Sequence, residues 1–167
     1  MCRMCDDPGF DNIAWLCETI AKSGWAVTGV EPDRSHPPFA YTVGLTVHEK
    51  PELLVTGMHL DRAQTLLNRV AVHVLHADPP EPGERIPLPG GPLLEVVEVE
   101  VPTAHLLDAV RLFGSDFRAL QLVHADDRGC WPWEPGWRGV RGGQPVLGRR
   151  AGAALRREVS CGIPAPG

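Results

Sequence analysis

Two cysteines near the start of the chain have the spacing of metal ligands. Cys2 and Cys5 are separated by two residues, and thiolates at that spacing bind zinc well. A structural zinc site takes four ligands, however, and the chain contains no second Cys-x-x-Cys pair. Cys17 is predicted to lie on the inner stripe of a helix, where a thiol packs as a small apolar group. The pair leaves three interpretations open: a zinc site, a redox or regulatory dithiol, and an inert N-terminal arm.

Three histidines fall at the ends of predicted strands. His48 and His59 flank one strand and His124 ends another. Their imidazoles could therefore meet at a metal, together with Glu52 or Asp126. No His-x-His or His-x-x-x-His spacing accompanies them. Unconnected histidines in loops and at strand ends are the simpler interpretation, and a metal site is the alternative.

The largest concentration of aromatic side chains is the Trp/Pro segment, residues 131–137. Its prolines exclude a regular helix or a central strand, so Trp131 and Trp133 either cover the core or line a pocket or a partner surface. Four arginines follow: Arg138, Arg141, Arg149 and Arg150. Guanidinium groups beside an aromatic wall suit a planar anionic ligand such as a flavin nucleotide. Solvated arginines on a loop are the alternative.

The short motifs of several enzyme classes are absent from the chain. It contains no Gly-x-Ser-x-Gly, Gly-x-x-x-x-Gly-Lys or His-Glu-x-x-His. Asp126 and Asp127 are adjacent carboxylates, but their turn context predicts hydrogen bonds to backbone amides rather than acid–base chemistry. The sequence therefore decides neither whether the protein is an enzyme nor which residues would be catalytic.

A predicted hairpin positions most of these side chains. Residues 39–45 and 53–57 read as strands, and the short link between them requires an antiparallel pair. Strand alternation gives one bulky apolar face and one small, partly hydroxylic face that a flat ligand could approach. The candidate ligand-binding residues are Tyr41, Thr42, Gly44, His48, Gln121, His124, Trp131, Trp133 and Arg149.

The remaining pattern predicts an α+β fold. Helices are expected over residues 11–23, 61–76 and 102–113. Asp11 is expected to cap the first helix and Gly24 to end it, and an Asp61-x-x-Gln64 capping box is expected to open the second. Further strands are expected over 25–30, 93–101 and 117–124, with a long loop over 78–92. We predict a single domain, residues 10–150, built as an antiparallel sheet or small split barrel flanked by about three helices. Residues 1–9 would form an arm and 151–167 a flexible tail.

Composition narrows the classes of partner. A formal net charge of −5 argues against nucleic-acid and membrane-surface binding. No stretch reaches the roughly 20 apolar residues of a membrane span, and the N-terminus lacks the apolar core of a signal peptide. We therefore expect a cytoplasmic protein whose five cysteines are thiols or metal ligands rather than disulfides. The expected partner is a small molecule or another protein, and a homodimer is left open.

Several segments together resemble one bacterial family. They are Cys2-x-x-Cys5-Asp6, the strand at Trp25, FAYTVGL (39–45), Pro51-Glu52-Leu53, ALQLV (119–123), Gly129-x-Trp131-Pro132-Trp133 and GQPVLG (143–148). The chain is similar over most of residues 1–150 to actinobacterial members of the family called domain of unknown function 4262. This resemblance implies a family but not an activity.

A second resemblance covers about residues 38–75. A strand ending in small residues, then Pro-Glu-Leu, a second strand and a helix, is similar to the early part of flavin-reductase-like split barrels. In those proteins the flavin ring lies against such a strand pair, so flavin is one implied cofactor. The hypotheses are thus a small-ligand-binding domain for a flavin-like or other planar anionic ligand, a non-catalytic protein-interaction module using the Trp/Pro segment, and a zinc-binding protein using Cys2 and Cys5.

Overall fold

The computed structural model describes residues 11–152 of the chain. They form a six-stranded sheet flanked by three α-helices, together with the connecting loops. The strands are β1 (Ala26–Val30), β2 (Phe39–Val43), β3 (Glu52–Thr56), β4 (Arg85–Pro87), β5 (Leu93–Glu98) and β6 (Ala119–His124). The helices are α1 (Asn12–Ser23), α2 (Leu60–His76) and α3 (Leu107–Phe113), with short 3₁₀ turns at Leu45–His48 and Pro102–Ala104. The predicted α+β class is confirmed.

The sheet is open and mixed. Its strand order is β1-β2-β3-β6-β5-β4, and the predicted antiparallel pairing of β2 with β3 is confirmed. The pairing of β3 with β6 is parallel, with Glu52 opposite Ala119 and Leu54 opposite Gln121. The sheet is therefore neither purely antiparallel nor closed into a barrel. As a consequence, the carboxyl ends of β3 and β6 lie side by side at the same end of the sheet.

The first helix follows the local signals of its sequence. Asp11 accepts hydrogen bonds from the backbone N–H groups of Ile13 and Ala14, at 3.0 and 3.1 Å, and Gly24 ends the helix in the left-handed region at φ 90°. Both features match the predicted caps.

The start of the second helix differs from its prediction. Its N-cap is His59, and no side chain makes a capping hydrogen bond there. The predicted capping box is therefore wrong, because the helix begins at Leu60 and Asp61 already lies inside its first turn.

Helices cover both faces of the sheet. On one face, α2 packs Leu67, Ala71 and Val74 into a cluster that includes Leu53 and Leu122 of the strands. On the other face, Leu16 of α1 and Ala109 of α3 pack with Tyr41, Val43 and Leu54 at the β1–β3 end. Burial of the leucine and valine side chains among them, each worth about 1.5–3 kcal/mol, fixes which face each strand residue points to.

The uncovered part of the second face is closed by the strap, which we define as residues 143–150. Gln144 exchanges two 2.9 Å hydrogen bonds with the backbone N–H and C=O of His124. Gln121 donates to the carbonyl of Pro145 and accepts from the backbone N–H of Leu147, both at 2.7 Å. A segment without helix or strand is thereby held on the sheet by buried side-chain amides.

Other predicted elements need correction. The expected loop over 78–92 contains β4, which pairs with β5 through Arg85 and Glu95. The expected helix over 102–113 is divided, because Leu106 leaves the helical region to become fully buried between the 3₁₀ turn and α3. The arm, residues 1–9, and most of the tail, 151–167, lie outside the described residues. The domain boundaries therefore stay a prediction.

The two described cysteines each differ from one expectation, Cys17 in its exposure and Cys130 in its oxidation state. Cys17 is a free, exposed thiol, because it lies one residue beyond the buried Leu16 and so points away from the core. Cys130 is disulfide-bonded, which overturns the expectation of thiols for this residue. No helix within residues 11–152 is long and apolar enough to span a membrane.

Candidate functional site

The small-residue face of β2 is not open to a ligand. Thr42 is fully buried, and its hydroxyl donates to the Glu52 carboxylate at 2.6 Å. A Cβ at Gly44 would lie 2.9 Å from a side-chain atom of Ile20 and 3.0 Å from the carbonyl oxygen of Gly24. The expected flat ligand surface at Thr42 and Gly44 is therefore wrong. Strand alternation predicts which side chains are small, but not what packs against them.

Tyr41 and His48 also lie apart from the other predicted ligand-binding residues. Tyr41 is buried on the opposite face of β2, where its phenolic oxygen accepts from the backbone N–H of Asp108 at 3.2 Å. His48 is exposed at the opposite end of β3 from His124, with its Nε2 3.3 Å from the carbonyl oxygen of Gly24. The structure does not join these residues to the other predicted ligand contacts.

The tryptophans and arginines do contact one another, but they pack together and not around a binding site. The rings of Trp131 and Trp133 stack with centroids 5.2 Å apart. Arg85 lies over Trp131 at 4.7 Å and Arg150 over Trp133 at 3.4 Å. Both guanidinium groups bond to the buried carboxylate of Glu95, at 3.1 and 2.9 Å. This cluster fastens the strap to the sheet and leaves no gap between ring and guanidinium for a planar ligand.

Two further predicted residues have clear positions. Gln121 is fully buried, and its side-chain amide forms hydrogen bonds with Thr56, Pro145 and Leu147. It therefore holds the strap on the sheet. The side chain of Arg149 is 94% exposed and pairs with Glu100 at 3.3 Å. Neither residue borders the cavity described next.

A cavity of about 240 Å³ opens where β3 and β6 end, and we call it the strand-end cavity. It is lined by the strand end at His124, the start of α2 at His59 and Arg62, and the loop residues Asp127 and Arg138. The carboxyl ends of neighbouring parallel strands are a common place for ligands in α/β proteins. Of the predicted binding residues, His124 lies here.

His124 is a neutral imidazole at physiological pH. Burial lowers its pKa, and the neighbouring charge of Arg62 acts in the same direction. Its Nε2 lies 3.3 Å from the carbonyl oxygen of Thr56. A neutral ring that donates there through Nε2 leaves Nδ1 as an acceptor. The residue can therefore orient a polar ligand through a hydrogen bond without adding charge.

The two carboxylates of the cavity are not equivalent. Asp126 accepts from the backbone N–H groups of Arg128, Cys130 and Arg138, each at 2.9 Å. Desolvation alone would raise the pKa of Asp126, but these donors outweigh it and hold the pKa below its ordinary value. The turn prediction for this residue is confirmed. Asp127 is exposed and makes no hydrogen bond or ion pair within the described chain.

Two arginine side chains, those of Arg62 and Arg138, line the strand-end cavity. The side chains of Arg62 and Arg138 make no hydrogen bond or ion pair with any other described residue. Arg62 sits in the first turn of α2, whose first backbone N–H groups lack a side-chain cap and carry the positive end of the helix dipole. The cavity thus offers two unpaired guanidinium groups against one unpaired carboxylate, that of Asp127.

A metal centre is not supported within residues 11–152. No three His, Cys, Asp or Glu side chains there lie close enough to hold a metal ion. The three-imidazole hypothesis is wrong, because His48 lies at the other end of β3 and Glu52 is buried among its own hydrogen bonds. Cys2 and Cys5 lie outside the described residues, so the zinc hypothesis on that pair stays a prediction.

Sequence analysis missed Arg62 as a site residue. The available signal was its position in the first turn of a helix that closely follows a strand and a glycine, Gly57, with φ 66°. Arg138 was noted, but only as part of an arginine run. Which arginines of that run face a cavity depends on the turn around Asp126, which spacing alone does not reveal.

Comparisons with known proteins identify the family alone. Neither curated proteins nor solved structures give a significant match to the chain. The family model described as Domain of unknown function (DUF4262) matches residues 19–138, which is more than half of the chain. The protein belongs to this family.

Proposed function

We propose that this domain binds a small anionic molecule in the strand-end cavity. The observation that carries the proposal is the pair of unpaired guanidinium groups, Arg62 and Arg138, beside the neutral imidazole of His124. Guanidinium groups match carboxylate and phosphate oxygens with paired, charge-assisted hydrogen bonds. A phosphate or carboxylate placed between them would also benefit from the helix dipole of α2.

The proposal narrows the earlier idea of a planar anionic ligand. No tryptophan lines the strand-end cavity, and Trp131 and Trp133 are stacked on each other and on arginines. The contacts therefore support the anionic group of a flavin nucleotide but not its ring. With the indoles packed in this way, nothing specific favours the interaction-module hypothesis.

Calorimetric titration of the full chain at low ionic strength tests the proposal. The probes are inorganic phosphate, acetate and flavin mononucleotide. Loss of a hydrogen bond to a charged group costs about 1.5–3 kcal/mol, so Arg62→Ala and Arg138→Ala should each weaken binding at least tenfold. Arg149→Ala is the matched control, because it removes the same charge from an exposed position outside the cavity. Added salt should weaken binding in every case.

A charge of the opposite sign gives a second test. Asp127→Asn removes the unpaired carboxylate from the cavity wall and should tighten anion binding several-fold, since a like charge is removed. Asp116→Asn is the control, because Asp116 is exposed in the link between α3 and β6 and makes no described side-chain contact. If no anion in the panel binds, or if Arg149→Ala weakens binding as much as Arg62→Ala, the proposal is wrong.

A further inference from the structure

A second and larger cavity adjoins the first. It has a volume of about 730 Å³ and lies between the link from β1 to β2 and residues 140–142, so we call it the loop cavity. His59 and Val140 line both cavities. The two cavities therefore adjoin at these residues, and we call them together the groove.

The loop cavity repeats the charge pattern of the strand-end cavity. Arg34 and Arg141 line it, and neither side chain makes a hydrogen bond or ion pair within residues 11–152. The carboxylate of Asp33 also lines it, but accepts from the backbone N–H groups of Ser35 at 2.6 Å and His36 at 3.0 Å. Chiefly because of the Ser35 N–H, the pKa of Asp33 is lowered. Its charge is therefore already engaged by its own turn.

The backbone that carries these two arginines is well fixed. The turn around Arg34 is closed by a 3.0 Å hydrogen bond from Asp33 N–H to the carbonyl of His36. A Cβ placed at Gly142 would lie 3.2 Å from Pro37, so the two loops touch. Gly142 has φ 95°, a conformation that favours glycine. Two unpaired guanidinium groups thus border the loop cavity, carried by two loops that pack against each other.

From this arrangement we infer that the ligand carries two separate anionic groups joined by an organic linker. This inference rests on the proposed function, because one anionic group occupies the strand-end cavity between Arg62 and Arg138. The other lies in the loop cavity between Arg34 and Arg141. A cavity of about 240 Å³ is below the usual range of whole-ligand pockets, about 300–1,000 Å³, so it suits a head group. The loop cavity has room for the linker and the second group.

A homologous series of alkanediol bisphosphates tests the inference directly. Calorimetric titrations of the full chain would compare linkers of increasing length with the alkyl monophosphates of the same lengths. Joining two binding groups makes the second event intramolecular, with a gain of about 100-fold or more when the linker matches the span. We expect affinity to pass through a maximum with linker length. Inorganic pyrophosphate, which has two phosphates and no linker, should bind like a monophosphate.

Variants separate the two ends of the groove. Arg34→Ala and Arg141→Ala should each weaken the best bisphosphate about tenfold and leave the monophosphates unchanged. Arg62→Ala should weaken both classes, and Arg149→Ala neither. If no phosphate binds, this inference falls, and if acetate also fails to bind, the proposed function falls with it. If monophosphates bind and no bisphosphate binds more tightly, the inference alone is overturned and the strand-end cavity remains a single-anion site.

Discussion

At the scale of single residues, the carboxylate of Glu52 has the densest set of hydrogen bonds near the hairpin. It is fully buried, and one oxygen accepts from Gly44 N–H at 2.9 Å, Thr46 N–H at 3.0 Å and the Thr46 hydroxyl at 2.7 Å. The other accepts from the Thr42 hydroxyl. Glu52 therefore replaces the backbone partners that the chain loses when it turns out of β2 at Gly44.

Replacing Glu52 with glutamine tests this role. The amide NH₂ would face donors where the carboxylate oxygen accepted, so Glu52→Gln should lower the free energy of unfolding by about 3 kcal/mol. Urea denaturation measures the loss. Glu98→Gln is the control, since Glu98 pairs with the exposed Arg118 and exposed pairs contribute about 0–1 kcal/mol. Equal losses in the two variants would contradict the assignment.

Tyr41 allows a second residue-scale prediction, because it is the only tyrosine in the chain. Burial raises the pKa of Tyr41 to about 12, although the N–H of Asp108 that bonds to the phenol acts in the opposite direction. The absorbance of tyrosinate should therefore appear with a midpoint near pH 12 in the native protein. In urea it should move to about pH 10, the value of an unperturbed tyrosine. A native midpoint near 10 would show that the phenol reaches solvent.

At the scale of elements, the ends of a helix could be predicted from neighbouring residues, whereas the pairing of distant strands could not. The caps of α1 were readable because Asp11 and Gly24 act on neighbouring backbone groups. The parallel pairing of β3 with β6 was not readable, because the two strands are far apart in the chain and no link between them restricts their direction. The strand-end cavity depends on that pairing. His124 was found as a strand-end residue, whereas the role of Arg62 needed the sheet order.

The strap gives a prediction at the same scale. A Cβ at Gly148 would overlap the carbonyl oxygen of Glu98, so Gly148→Ala must lift the strap from β5. Overpacking of this kind costs typically about 1–3 kcal/mol, and we expect the upper end of that range in urea denaturation. Gly143→Ala is the control within the strap. Its Cβ would meet nothing within 4 Å, leaving only the cost of its positive φ, about 1–2 kcal/mol. A Gly148→Ala loss no larger than that of Gly143→Ala would contradict the close packing.

At the scale of the whole molecule, two histidines, the buried His124 and the partly buried His105, link folding to pH. Burial lowers the pKa of both His105 and His124, so each histidine takes up a proton more readily in the unfolded chain. The contribution of the two neutral histidines to the free energy of unfolding is therefore fully present above the unfolded pKa of about 6.5. It declines as the pH falls below that value. The carboxylates with lowered pKa, Asp33 and Asp126, lose their contribution only as the pH falls below about 4. The window from pH 7.5 to pH 5 therefore isolates the histidines.

Urea denaturation across that window measures the effect. The free energy of unfolding of the native protein should decrease from pH 7.5 to pH 5, and His124→Asn should decrease less because one titrating group is gone. His105→Asn should also reduce the decline, but by less, since His105 is only partly buried. The exposed His73→Asn, on α2, is the control and should keep the native decline. A native protein whose stability is constant across the window would show that the ring of His124 charges freely, and its role as a neutral hydrogen-bonding group beside Arg62 would fall with it.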